Sequence, residues 1–276
     1  MIPRVRCAWY TSSAPLVKRA SNSVDPPSGE QRRDREVAFF DRFVTEQGDY
    51  DVLSDAAYRR LLLYFERLVR PRTGERCIDL GCGTGTFTRR LRGYGLRLEG
   101  MDISPASVEV ANRAADGERY RCGDINRTEL ADGSYDIILY SGVLHHFANP
   151  ALRAQVLREG HRLLAPGGRL FAYDPSAHSP SMFLYRDPRS PLFSREGKTE
   201  NEVLLRRADL EKELRDVGFD SIAIHGASGI TFKYVEGRLA RRLLWFYNLY
   251  EEFVRLSPIE HWIGTFLVSF AQKPPA

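Results

Sequence analysis

One stretch of this 276-residue chain limits the folds open to it: Arg76-Cys77-Ile78-Asp79-Leu80-Gly81-Cys82-Gly83-Thr84-Gly85-Thr86-Phe87-Thr88. A short apolar run carrying one acid meets three alternating glycines, and helix-compatible residues follow. The pattern predicts a buried strand, a tight turn and the start of a helix. Glycine accepts positive φ and has no Cβ, so the backbone can turn sharply and approach a ligand closely. Such a turn delivers the ligand to the end of a strand and the first N–H groups of a helix.

Two ligand classes use a turn of this kind. The dinucleotide fingerprint is G-x-G-x-x-G, whose third glycine packs the helix on the sheet. Here the third glycine, Gly85, comes one position early, and Thr86 stands where the fingerprint wants glycine. Asp79 sits two residues before the first glycine. Its carboxylate suits a ligand carrying positive charge better than a pyrophosphate. The plain alternative is an ordinary glycine-rich turn, so the rest of the chain decides.

Alternating elements follow on both sides. Helices are expected over 35–47 and 55–70, the second capped by Ser54 or Asp55 and stopped by Pro71. After the glycine turn a helix is expected over 85–94, then a strand over 96–101 ended by Asp102. Ser104-Pro105 caps and starts a helix to about Ala115. Tyr120–Cys122 is a short strand followed by Gly123-Asp124-Ile125-Asn126. Asp136–Tyr140 is nearly all apolar, as expected of a strand buried on both faces, and Ser141–Phe147 begins at its carboxyl end. Pro150–Leu164 reads as a helix, and Leu164–Pro175 as a proline-glycine turn and a fifth strand. A helix over 207–217, ended by Gly218, and strands at Phe219–His225 and Gly264–Gln272 complete the order. Strands alternating with helices imply an α/β doubly wound sheet with its ligand at the carboxyl edge.

Two segments stand outside this alternation. Residues 176–205, with three prolines and several arginines and aromatics, read as a lid loop over the substrate. Residues 227–262 hold a helix of about 21 residues, with Leu239, Leu243, Phe246, Tyr250 and Phe253 on one face and Arg238, Arg241, Arg242, Glu251, Glu252 and Arg255 on the other. The readings of that helix, in order, are a cap packed on the domain, a wall of the substrate site, and a peripheral membrane-surface helix through 236–256.

Composition narrows the class. Hydrophobic residues make up 43% of the chain, which suits one large globular domain or one with additions. No apolar run approaches the ~20 residues that span a bilayer. Residues 1–33, rich in Ser, Pro and Arg, read as a disordered tail. They hold six of the basic residues and two acids, so the net charge of +4 resides there and the remainder is neutral. A neutral folded part and the lack of an N/D-P-P-Y/F motif argue against a nucleic-acid partner. Cys7, Cys77, Cys82 and Cys122 show no C-x-x-C spacing and read as free thiols in a reducing, cytoplasmic compartment. His145 and His146 have no neighbouring ligand set, so no metal is expected.

D-x-G-x-G-x-G at 79–85, Asp102, Asp124-Ile125, Leu144-His145-His146 after a buried strand, and Leu164-x-Pro166-Gly167-Gly168 occur in the order found in one family. The chain resembles the class I S-adenosylmethionine (SAM) methyltransferases, in the branch acting on small molecules of the quinone and sterol type. The resemblance covers roughly residues 50–272. It implies a seven-stranded sheet of order 3-2-1-4-5-7-6 with strand seven antiparallel, here with the helical insertion between strands six and seven. Residues 34–276 would form the methyltransferase domain, with 34–70 as N-terminal cap helices.

The resemblance further implies SAM as cofactor. Asp79 would help hold its amino acid end, with Gly81 and Gly83 leaving room for it; Asp102 would bind its ribose, and Ile103, Asp124 and Ile125 its adenine; Cys82 and Ser141 would also bind the cofactor, and Tyr50 would touch it from a loop. The partner would be a small-molecule or lipid-like methyl acceptor. His146, then His145, is the candidate general base, since imidazole has a suitable intrinsic pKa; His178 and His225 are outside candidates. Tyr173 and Tyr185 are candidates for the acceptor pocket. Two other functions stay open: a non-catalytic SAM-binding scaffold, and a nicotinamide oxidoreductase, against which Gly85 and Asp79 argue.

Overall fold

The apolar run Ile137–Tyr140 lies in the middle strand of the sheet. In the computed structural model, which describes residues 29–49, 51–190, 193, 199, 201–235 and 238–276 (backbone alone at 29–33, 47 and 239), the strands are β1 (Arg76–Leu80), β2 (Arg97–Asp102), β3 (Arg119–Cys122), β4 (Tyr135–Ser141), β5 (Leu164–Pro175), β6 (Asp220–Ala227) and β7 (Phe266–Gln272). Their order is β3-β2-β1-β4-β5-β7-β6. β1 to β5 pair in parallel, and β7 runs antiparallel to both β5 and β6. The expected fold and strand order are therefore present.

Successive side chains of a strand point to opposite faces. Ile138 and Tyr140 of β4 enter one buried cluster with Ile78 and Leu80. Ile137 and Leu139 enter the other with Cys77, Phe171 and Tyr173. The helices α5 (Pro150–Leu163) and α7 (Arg207–Val217) supply the first cluster with Val156, Leu157, Leu210 and Leu214. The second is covered by α2 (Asp55–Val69), through Leu61, Phe65 and Val69, and by the short α3 (Thr86–Arg90). On the outer strand, α4 (Pro105–Arg113) packs Val108 and Ala111 on Tyr120.

Local signals explain the helix ends. Ser54 accepts from Ala57 N, and Ser104 from Ser107 N with Pro105 in the first turn. α7 stops at Gly218 in the left-handed conformation. α1 spans Gly29–Gln47 and so begins earlier than the expected residue 35; residues 1–28 lie outside the described residues. The helix expected over 85–94 is only α3 and a 3-10 turn, Arg92–Tyr94. The expected turn at Pro166-Gly167-Gly168 is a register shift within a continuous β5, with Gly167 at φ 76°.

The 176–205 segment contains a helix, α6 (Pro180–Arg186), capped by Ser179 with proline in its first turn. It uses the Ser-Pro signal that starts α4. Cys77 and Cys82 are free and buried, whereas Cys122 is disulfide-bonded, against the free-thiol reading; Cys7 is outside the described residues. No helix of the described residues is long and apolar enough to cross a membrane.

The insertion departs most from expectation. α8 (Arg238–Arg255) and α9 (Glu260–Ile263) connect β6 to β7. α8 buries Tyr247, Glu251 and Val254, while Phe246 is 56% exposed and Phe253 73% exposed. The assignment of Phe246 and Phe253 to the packed side and Glu251 to the solvent side is thus reversed. Polar groups hold α8 in this rotation. The Asn248 side chain accepts from Phe232 N and donates to Phe232 O, both at 3.1 Å; Tyr247 donates to Ile230 O; and Thr265 donates to Glu251. Unpaired buried backbone groups are costly, so the needs of residues 230–232 select the polar side of α8.

The burial pattern of α2 supplies a test. Leu61 is fully buried and Leu63 is 60% exposed on the same helix. Leu61→Ala is expected to cost about 2–5 kcal/mol and Leu63→Ala less than about 0.5 kcal/mol, read from urea unfolding midpoints.

Candidate active site

The glycine turn sits where β1 ends. Gly81 has φ 81°, and a Cβ there would come within 2.6 Å of Val143 Cγ2, so the turn and the segment after β4 pack too closely for any side chain. Gly83 also has positive φ, 53°, but a Cβ there would meet nothing within 4 Å. The backbone leaves open space at that point. It borders a cavity of about 580 Å³ at the carboxyl edge of the sheet.

Asp102, at the end of β2, is buried and fixes the turn. Its Oδ2 accepts from Gly83 N at 2.7 Å and its Oδ1 from Ser104 N at 2.9 Å. Burial raises its pKa, against the opposing effect of these two amides. Asp41 of α1 accepts from Ser104 Oγ at 2.5 Å and from Ala106 N at 3.3 Å, at the start of α4. Asp49 accepts from Thr84 of the glycine turn. The N-terminal helix is therefore tied to the cavity rim by two carboxylates.

Gly81, Cys82, Gly83, Asp102, Ile103, Asp124, Ile125, Ser141, His145 and His146 all line this cavity. Asp124 Oδ1 accepts from Asn126 N and Nδ2, which shapes its turn. Asp79 is placed differently. It lies fully buried beneath the turn and does not line the cavity; Thr88 donates to its Oδ2 at 2.7 Å, and burial lifts its pKa to about 6. Ser141, at the end of β4, also hydrogen-bonds to Asp79 and, like Thr88, opposes the effect of burial on it. Tyr50 lies outside the described residues. Tyr173 lines the cavity, while Tyr185, His178 and His225 do not.

The two histidines lie side by side in the turn Leu144–His146, with ring centroids 4.1 Å apart, yet their surroundings oppose one another. His145 Nδ1 is 2.9 Å from Asp174 Oδ1, which also accepts from the His145 backbone N–H. Burial drives His145 well below its ordinary pKa and lifts Asp174 to about 8, so both tend to their neutral forms. His146 Nδ1 is 2.7 Å from Glu36 Oε1 of α1. Burial acts to lower His146, but the hydrogen bond and charge of Glu36 outweigh it and raise its pKa above the ordinary 6.5. Burial acts to raise Glu36, and is in turn outweighed by His146, Asn201 and Thr199, which bring it below 4.5. The surroundings thus favour the charged forms of His146 and Glu36 and the neutral forms of His145 and Asp174.

Sequence reading missed Glu36, Asn201, Arg186 and Phe232, all on the cavity wall. Phe40, Leu53, Phe147, Leu152 and Phe266 make much of that wall apolar. A second cavity, about 650 Å³, lies at the opposite edge of the sheet beside Arg70, Glu75 and Arg169. Arg169 is paired there with Glu75, and none of the glycine-turn groups reaches it. Among the described residues no group of three His, Cys, Asp or Glu could hold a metal ion.

The charged pair sets a pH dependence. Because its folded pKa is raised, His146 contributes stability that is complete below pH 6.5 and is lost as pH rises through the folded value. Glu36 contributes above pH 4.5 and loses its contribution as pH falls through its lowered value. In an NMR titration the His146 ring should show a midpoint above 6.5, and Glu36→Gln should bring that midpoint down. A midpoint unmoved by the substitution would contradict the pairing.

Comparison with known proteins agrees with this geometry. The family model described as a methyltransferase domain matches residues 78–172. An uncharacterised 37.1 kDa protein in transposon TN4556 of Streptomyces fradiae is 34% identical over 58% of this chain, which spans 46% of that protein. A ubiquinone biosynthesis O-methyltransferase of Nitrosococcus oceani is 28% identical over 67% of this chain and 81% of its own. Among solved structures, a SAM-dependent methyltransferase from Thermotoga maritima superimposes with a TM-score of 0.58 over 86% of this chain and 98% of its own, at 19% identity, a likeness of fold. Strand order, glycine turn and domain match agree: residues 78–172 match a methyltransferase domain, and the sheet around them has the fold of the SAM-dependent methyltransferases it superimposes on.

Proposed function

We propose that this chain moves the methyl group of SAM to a small-molecule or lipid-like acceptor bound in the apolar part of the same cavity. The observation that carries the proposal is the open space at Gly83, whose N–H is held by the Asp102 carboxylate and which shares one cavity with Ser141. The methyltransferase-domain match supports the cofactor, and the names of relatives such as the ubiquinone O-methyltransferase support the acceptor class. Asp102 suits the ribose hydroxyls, since a carboxylate oxygen with one amide bond keeps a second lone pair. Ile103 and Ile125 suit the faces of an adenine, and Asp124 its amino group. Ser141 and the Gly81–Gly83 backbone suit the amino acid end. Asp79 acts on that end from beneath the turn, as a buried charge rather than as a wall of the cavity.

SAM supplies an already activated methyl group, so the protein's work is to orient the acceptor and exclude water. Phe40, Phe147, Phe232 and Phe266 exclude water from the acceptor side. His146 is the base where the acceptor bears a proton. Glu36 holds its Nδ1, which leaves Nε2 to take that proton. The raised pKa makes His146 a better acceptor than His145, but only at a pH high enough to free it. His145 and Asp174 act as a neutral brace that fixes the turn.

Calorimetric titration with SAM and with NAD tests the cofactor. SAM should bind and NAD should not. Gly83→Val should abolish SAM binding while the circular-dichroism spectrum is kept, and unchanged affinity would sink the assignment. With labelled SAM and a panel of quinol, phenol and amine acceptors, His146→Ala should lower turnover by about 10²–10⁴ and leave SAM affinity intact. Wild-type turnover should rise with pH above 6.5, and Glu36→Gln should move that rise to lower pH. Unchanged turnover in His146→Ala would remove the base role.

A further inference from the structure

Large exposed apolar side chains are concentrated in one place. Of the eleven among the described residues, seven fall within 245–262: Trp245, Phe246, Leu249, Phe253, Leu256, Ile259 and Trp262. On a helix of 3.6 residues per turn, positions 245, 249, 253 and 256 form one stripe with 246 beside it. That stripe points away from Tyr247, Glu251 and Val254, which α8 buries. Contiguous exposed apolar surface of this kind marks a binding surface.

The charges on the stripe identify the partner. Arg238 and Arg242 extend it through the first turns of α8, with Arg241 alongside, and all three are exposed. They form no ion pair with a carboxylate among the described residues. Among the described residues the acids nearby are engaged: Glu252 with Arg255, Glu260 with Arg60, and Glu251 in the interior. A helix with Trp245, Phe246, Leu249 and Phe253 on its exposed side and arginines at its start, followed by Trp262 on α9, matches an interfacial helix. A basic cluster beside that face fits anionic headgroups.

We propose that the outer face of α8, continued through Ile259 and Trp262, lies on a lipid bilayer surface bearing anionic headgroups. The helix docks from its apolar side, with Trp245, Phe246, Leu249 and Phe253 entering the headgroup and acyl boundary and the three arginines meeting phosphate or carboxylate groups. The inner side of the same helix holds Phe232 through Asn248, and Phe232 is a wall of the active-site cavity. Docking therefore sets that wall next to the bilayer, where lipid-soluble acceptors are concentrated. This consequence rests on the methyl-transfer reading; the docking surface does not.

The test is sedimentation of the full chain with vesicles of phosphatidylcholine alone and of phosphatidylcholine with phosphatidylserine. The wild type should sediment with the anionic vesicles. Each basic residue near such a surface is worth roughly fivefold in affinity, so Arg238→Gln, Arg241→Gln and Arg242→Gln together should weaken binding about 100-fold. Phe246→Ser, Leu249→Ser and Phe253→Ser together should abolish binding to either vesicle. All six positions are exposed, and unchanged thermal melting and SAM binding check that the variants are folded. Tryptophan emission should shift to the blue with anionic vesicles in a Trp9→Phe variant, in which only Trp245 and Trp262 report. A wild type that stays in the supernatant, or an arginine variant that sediments as well as the wild type, overturns the proposal. So does a serine variant that turns a dimer into a monomer in analytical ultracentrifugation while the wild type ignores vesicles, because the face would then be an interface between two copies.

Discussion

The carboxylate of Asp102 is the joint on which the active-site edge depends. It is buried, and a buried carboxylate is costly unless hydrogen bonds compensate it. The compensation comes from Gly83 N on one side and Ser104 N on the other. One group thus fixes the glycine turn after β1 and the start of α4 after β2. Asp41 then fastens α1 to the same Ser104, and α1 carries Glu36 to His146. From a single acid at a strand end, a chain of polar contacts runs across the cavity mouth to the candidate base. Loss of the first contact would reach the last through rigid elements, although the two ends are far apart in sequence.

The paired histidines illustrate how little a residue type determines by itself. His145 and His146 are neighbours in sequence with nearly touching rings, and each has a carboxylate on Nδ1. Asp174 is fully buried at the end of β5, and desolvation there suppresses both charges. Glu36 stands at the less buried rim with Asn201 and Thr199 to hold it ionised. Environments that push two like groups apart in pKa divide their roles. A neutral pair beside a titratable neighbour is a coherent arrangement: the pair holds the turn, and the neighbour faces the cavity.

What could be read from sequence was what local chemistry determines. The sheet was legible because its strands are short apolar runs bounded by glycine, proline and acids, as at Ile137–Tyr140. The cavity-lining Gly81, Gly83, Asp102 and Asp124 were legible because each sits at the carboxyl end of such a run. Glu36 was not, since its contact with His146 spans more than a hundred residues and nothing near it in the chain signals a partner. Helix α6 was missed although Ser179-Pro180 repeats the Ser104-Pro105 signal, because the surrounding prolines and arginines outweighed it. Asp79 was expected at the ligand and lies fully buried off the cavity: strand periodicity shows that a side chain is inside, not how many layers cover it.

The failure at α8 has a different physical origin. Amphipathicity predicts orientation only when a helix has one apolar side to bury. α8 has apolar residues on most of its circumference, so the hydrophobic contribution changes little with rotation. Hydrogen bonds then decide. The backbone at Ile230 and Phe232 and the hydroxyl of Thr265 require partners, and Asn248, Tyr247 and Glu251 supply them. Satisfying these groups turns Phe246, Leu249 and Phe253 outward. The exposed face is therefore no accident of a weakly packed element. It is the necessary opposite side of a helix whose inner side is bonded to the cavity wall, which ties the exposed surface of α8 to the shape of the cavity.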